Sequence, residues 1–231
     1  MSSQRPTIPG RISAEKLAYR YLRLNGFLQI ENFYVHPRTR GGARPDADLL
    51  GVRFPHRRER LYDDTADIMA DDVAGLGLTS DSVDVVIAEV KLGRSALNGP
   101  WTEPSRENLH RVLAALGCVP QERIGTAAAA IYQRGYVEDE ASVRVRLVAV
   151  GAERSTEIAA RYPRVTQICW TDLLSFIYRR FRRYRHQKSN TPHWSNTGKL
   201  LKRKATTSNM TEDAFVTWAL AALNPATGES P

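Results

Sequence analysis

Cysteine is scarce in this sequence: only Cys118 and Cys169 occur, far apart and in apolar surroundings. That excludes a disulfide framework and a cysteine-ligated zinc site, and a reducing cytoplasm is the expected compartment. Long apolar runs are missing as well. None approaches the roughly 18 residues that span a bilayer, and Met1 to Gly10 has no signal-peptide core, so a soluble intracellular protein is expected. The histidines His36, His56, His110, His186 and His193 show no zinc-ligand spacing. A further scarcity is local. Between Leu173 and Thr211 there is no acidic residue, yet Arg179, Arg180, Arg182, Arg183, Arg185, Lys188, Lys199, Lys202, Arg203 and Lys204 all fall there. These ten cations exceed the net charge of the whole chain, +8, so the remainder is slightly acidic. With Tyr178, Phe181 and Tyr184 interleaved, the tract reads as a surface for a polyanion, with nucleic acid the expected partner. The alternative is a solvated face whose Leu173, Leu174, Ile177 and Phe181 stripe packs on the core.

What is present is a globular composition, 42% hydrophobic and 25% charged over 231 residues, long enough to bury a core without staples. Residues 1–12 read as a loose arm, 13–187 as an α/β core, and 188–231 as a basic loop followed by a C-terminal helix. Ala14, Leu17, Ala18, Tyr21 and Leu22 form a helical stripe opened by Ser13 and closed by Gly26. Phe27 to His36 alternates as a strand, with Leu28, Ile30 and Tyr34 on one face. Asp48 to Phe54 reads as a second, more buried strand, and His56 to Ser80 as a surface hairpin or short-helix insertion. Within it Asp63, Asp64 and Asp67 spell a Mg²⁺-chelating pattern without the all-helical context such a pattern needs, so a solvated acidic loop is expected.

Val83 to Leu92 is the strongest strand, crowded with β-branched residues and expected to be central. Helices are expected over 104–116, 120–133, 156–162, 172–186 and 211–223, strands over 143–150 and 165–170, and an aperiodic basic loop over 188–210. Trp194 in that loop reads either as a base-stacking residue or as a packing anchor. The alternation of helices and strands predicts a mixed central sheet flanked by helices.

One constellation carries chemistry. Period-two alternation puts Glu89 and Lys91 on one face of the central strand while Val90 faces the other way. Two charges ending an apolar strand are costly unless compensated. Asp48, at the start of the preceding buried strand, can bring a second carboxylate to Glu89. A pair of convergent carboxylates suits Mg²⁺, which accepts one or two of them plus waters and phosphate oxygens.

The run Ser13-Ala14-Glu15-Lys16-Leu17-Ala18 on the first helix, Pro45-Asp46-Ala47-Asp48-Leu49-Leu50 entering a strand, and Val86-Ile87-Ala88-Glu89-Val90-Lys91 together resemble the PD-(D/E)xK nuclease superfamily of restriction endonucleases and Holliday-junction resolvases, over roughly residues 13–116. The resemblance implies a restriction-endonuclease-like fold with a basic helical C-terminal extension, and metal-dependent cleavage of phosphodiester bonds in nucleic acid, DNA first. It implies Asp48 and Glu89 as ligands of Mg²⁺ or Mn²⁺, Lys91 as the residue that places the attacking water, and Glu15 as an accessory acid. Asp46 follows Pro45 directly and is the alternative ligand; Asp48 is preferred because it abuts the apolar strand. Cutting both strands of a duplex needs two sites, which a homodimer supplies, although no heptad or exposed apolar face demands one. The rival expectation is a catalytically inactive subunit of nuclease fold that binds nucleic acid or assembles a larger complex.

Overall fold

A computed structural model describes residues 12–34, 46–60, 68–138, 142–190 and 192–223. The elements run α1 (Ala14–Leu24), β1 (Leu28–Tyr34), β2 (Asp46–Arg53), β3 (Glu59–Arg60), β4 (Ile68–Met69), α2 (Val73–Leu76) and β5 (Val83–Val90). They continue with α3 (Gly99–Thr102), α4 (Asn108–Leu116), α5 (Ile124–Arg134), β6 (Tyr136–Glu138), β7 (Val143–Gly151), α6 (Thr156–Arg161), β8 (Thr166–Cys169), α7 (Trp170–Arg183), α8 (Asn196–Ala205) and α9 (Glu212–Leu223). Ser13 caps α1 by accepting the Lys16 N–H, a contribution of about 1 kcal/mol. Gly26 follows α1 at φ +84°, where a side chain would be strained.

The chain is an α/β protein with a mixed central sheet. The strand order is β1-β2-β5-β7-β6, with β8 also on β7, and β3 and β4 form a separate small hairpin. β1, β2 and β5 make an antiparallel meander, whereas β7 lies parallel to β5 after the α3 to α5 crossover. β5 is therefore flanked on both sides, and the burial of Val85 to Val90 explains its near-continuous apolar sequence. One face of the sheet packs Leu49, Val86, Ala88 and Val90 against α1, α7, α8 and α9; the other packs Leu50, Val85 and Ile87 against α4 and α5.

Four expectations change. The helix expected over 104–116 is broken at Glu107, whose φ of +53° separates a short 3₁₀ turn from α4. The loop expected over 188–210 contains α8, with Ser195 accepting the Gly198 N–H as its cap. Leu201, Ala205 and Phe215 of α8 and α9 are buried in the same core as α1 and α7, so the basic extension is built into the fold. The stripe on β1 faces outward: Leu28, Ile30 and Tyr34 are 63%, 54% and 55% exposed, so there is an exposed apolar face after all. Asp63, Asp64, Asp67 and residues 1–11 lie outside the described residues. Among the described residues no helix is long and apolar enough to cross a membrane.

Candidate active site

Register makes the site. Leu49 of β2 stands opposite Ala88 of β5, so one step further along the same ladder Asp48 stands opposite Glu89. Directly opposed residues share a face of the sheet. The Val90 N–H donates to Asp48 Oδ2 at 2.7 Å, which fixes the Asp48 carboxylate at the end of β5. Glu89 is 2% exposed and holds three donors: Lys91 Nζ at 2.6 Å and Asn98 Nδ2 on Oε1, and Trp101 Nε1 at 2.9 Å on Oε2. The Lys91 side chain remains one-third exposed, so its amine joins the buried acid to solvent.

The electrostatics of this end centre on Glu89. Burial pushes the Glu89 carboxyl above its ordinary range, Lys91 and Trp101 pull it back, and the neighbouring Asp48 charge adds to the rise. A divalent cation beside the two carboxylates would relieve the repulsion by which Asp48 raises Glu89. Both donors are hard oxygen groups, so the pair fits Mg²⁺ or Mn²⁺. Among the described residues no group of three His, Cys, Asp or Glu gathers for an ion, so water and phosphate oxygens would complete the coordination.

Asn98 and Trp101 were not legible as site residues. The signal was the Asn98-Gly99-Pro100 turn, which starts α3 directly after the Glu89 strand. The loop that brings them in crosses the end of β7. The Ala152 N–H donates to Gly93 O at 2.6 Å, and the Ser95 N–H and Oγ both donate to Glu153 O at 2.8 Å. A Cβ on Gly151 would sit 2.5 Å from Ser95 N and 2.6 Å from Gly93 O, so only a bare α-carbon lets this loop pass.

Glu15 is at the same end of the fold but over the other face: its neighbour Lys16 bridges Glu31, Glu31 stands opposite Leu49, and Leu49 packs with α1, whereas Asp48 and Glu89 share the face of Leu50 and Ile87. The Glu15 carboxylate accepts from Ser13 Oγ at the start of α1. Asp46 begins β2, two residues before Asp48.

The basic tract is elsewhere. Trp170 Nε1 donates to Lys91 O and Leu92 O, so α7 begins beside the site. Over fourteen residues α7 then runs about 20 Å away from it. Its far end meets Ala70, Leu24 and Glu59 through Arg180, next to Asp71. Asp71 in turn holds Arg53, which stands opposite Asp84 at the other end of β5. The arginines and the carboxylate pair thus occupy opposite ends of the sheet.

Arg180 leaves the list of nucleic-acid contacts: its side chain is 1% exposed and its guanidinium is spent on Glu59 and two carbonyls. Glu59 also holds Lys188, so an acid more than a hundred residues away compensates the tract. Arg182 donates to Thr207 O and Ser208 O, Arg179 to Glu212, and Lys204 lies over the Trp218 ring. Arg179, Arg183, Arg185, Lys199 and Arg203 are exposed, and Arg182, Lys202 and Lys204 are half-buried. Trp194 is an anchor, half-buried against Phe181 with Arg20 over its ring at 4.6 Å.

Fold and site together define an α/β protein with an acid-acid-lysine cluster at the end of its central strand. Comparison with protein-family models, with curated proteins and with solved structures finds no match to this chain.

Proposed function

We propose that this chain is a metal-dependent nuclease of PD-(D/E)xK type, with a restriction-endonuclease-like fold, that hydrolyses phosphodiester bonds in DNA. The observation that carries the reading is the convergence of Asp48, Glu89 and Lys91 at one strand end, from segments about forty residues apart in sequence. The order of the elements that deliver them supports it: a helix with an early acid, a hairpin whose second strand carries Asp48, then the Glu-Val-Lys strand.

Asp48 and Glu89 would hold Mg²⁺ or Mn²⁺, while Glu15, over the other face of the sheet, would not reach the same ion. When bound, the ion supplies a nucleophilic water and neutralises charge on the phosphoryl group. Lys91, at the rim between the buried acid and solvent, orients that water and offsets the charge that develops in the transition state. Asn98 and Trp101 hold the Glu89 carboxylate in one orientation. Arg179, Arg182, Arg183, Arg185, Lys199, Lys202, Arg203 and Lys204 would contact nucleic-acid phosphates, at the other end of the molecule from the chemistry.

The test is incubation with plasmid, linear and single-stranded DNA and with RNA, in Mg²⁺, Mn²⁺ or EDTA. Metal-dependent cleavage lost in Asp48→Asn, Glu89→Gln and Lys91→Ala, with binding retained, is expected. Equal cleavage by a Glu89→Ala/Lys91→Ala double variant overturns the reading. A second reading, an inactive subunit that binds nucleic acid, is favoured by one observation: Lys91, Asn98 and Trp101 already occupy three of the roughly four acceptor positions of the Glu89 carboxylate. Salt-dependent binding without cleavage in any metal selects it.

A further inference from the structure

Within the cationic end of the molecule lies a groove of about 520 Å³ between α7 and the Ala70–Asp72 segment. Its size is that of a site for a small organic group. The half-buried Tyr178 and the edges of the largely buried Phe176 and Tyr184 line it, and Arg179, Arg182 and Arg183 stand along it. The opposite wall carries Asp71 and Asp72, whose carboxylates are engaged by Arg53 and Arg57 and by Tyr21 and the Gly75 N–H respectively. A mostly apolar slot beside three guanidinium groups matches one chemistry: a flat, uncharged ring attached to a phosphate.

The packing of this wall is unfinished. Two guanidinium groups lie near the Tyr184 ring, Arg180 at 5.5 Å and Arg183 at 5.3 Å from its centre. The Tyr184 hydroxyl and Arg180 Nε are buried and find no partner among the described residues. Each unsatisfied buried polar atom is costly unless water or a bound group satisfies it.

We infer that this groove takes an unpaired nucleotide: the base enters against the aromatic wall, and the adjoining phosphates meet Arg179 and Arg183. This rests on the reading of the cationic end as a nucleic-acid surface and adds a substrate class to it. A paired base in a duplex has no free face to offer such a slot, so the groove selects single-stranded or frayed nucleic acid. Because it lies at the opposite end of the sheet from Glu89, it anchors a strand without occupying the reaction site.

The experiment measures binding by fluorescence anisotropy in EDTA, so that cleavage plays no part. A short labelled oligothymidylate and a blunt hairpin duplex of equal charge are the probes. The single strand is expected to bind at least tenfold more tightly. Ala70 is an exposed residue on the groove wall, and Ala70→Trp, which fills the slot, is expected to abolish that preference while leaving duplex binding unchanged. An Arg179→Ala/Arg183→Ala double variant is expected to lower the salt-dependence slope for the single strand by about 1.4, two phosphate contacts' worth. Arg106→Ala, an exposed cation away from the tract, should leave the slope as it was. If duplex and single strand bind alike and Ala70→Trp changes nothing, the groove inference is overturned and the cationic-surface reading stands. If neither probe binds, both are overturned.

Discussion

The two ends of β5 each bury an acid, and they treat it in opposite ways. At the amino end Asp84 meets two guanidinium groups, with Arg146 at 2.8 Å and Arg144 at 2.9 Å. Burial would raise its carboxyl, but the bonds and charges of Arg146 and Arg144 outweigh this and hold it below the ordinary range. At the carboxyl end Glu89 has one amine and two neutral donors beside a second carboxylate, and its carboxyl is raised. An acid that serves only the fold is over-compensated, whereas one left short of positive charge has capacity for a cation or a proton. That contrast argues for chemistry at the Glu89 end more strongly than the Glu-Val-Lys motif does.

The largest expected effect tests the structural end. Asp84→Ala leaves two buried guanidinium groups without an anion and should cost about 3–5 kcal/mol in a denaturant titration. A loss below about 1 kcal/mol would erase the contrast. Glu89→Gln should do the reverse, lowering cleavage by roughly 10²–10³-fold while stability at neutral pH holds or rises. The sign follows from the raised carboxyl: the folded state binds the proton more readily than the unfolded state, so ionised Glu89 opposes folding. Wild-type stability should therefore gain as pH falls through that raised value toward 4.5, and Glu89→Gln should lose the gain.

A third case lies with the arginines. Burial alone would raise the Glu59 carboxyl, but Lys188, Arg180 and Arg57 pull it down to about 2. Its stabilising contribution is complete above the ordinary value of 4.5 and is lost as pH falls from there toward 2, a change of roughly 2 kcal/mol after allowing for its partial exposure. Thermal melts of Glu59→Gln should be flatter across that window than those of wild type. The smallest effect refines the site: Trp101→Phe removes one donor to Glu89 and should raise its carboxyl further, at a cost of about 1–2 kcal/mol, read by NMR titration of the side chain.

Local pattern revealed what local physics decides. The α1 stripe with its Ser13 cap, the β-branched crowding of β5 and the alternation that sets Glu89 beside Lys91 all depend on neighbours in sequence. The pairing of Asp48 with Glu89 was visible only as a motif, because it is the sheet register that makes it a contact. The fate of Arg180 was hidden for the same reason: its partner Glu59 is on a two-residue strand far up the chain. α8 was hidden by its own cations, since its core contacts are few: Leu201 and Ala205, with Leu200 partly buried beside them. On β1 the alternation was legible and its direction was not, because a period of two says that faces differ, not which one meets the core.

Gly151 carries no charge, touches no proposed reactant and donates to nothing in the cluster, yet the cluster's support passes over it. One added carbon there would collide with main chain rather than with a side chain able to swing aside. The segment from Gly93 to Trp101 would have to lift, taking with it two of the three groups that keep Glu89 oriented. The reach of this acid is thus set by a hydrogen atom on the neighbouring strand, and a survey of polar side chains alone would pass it by.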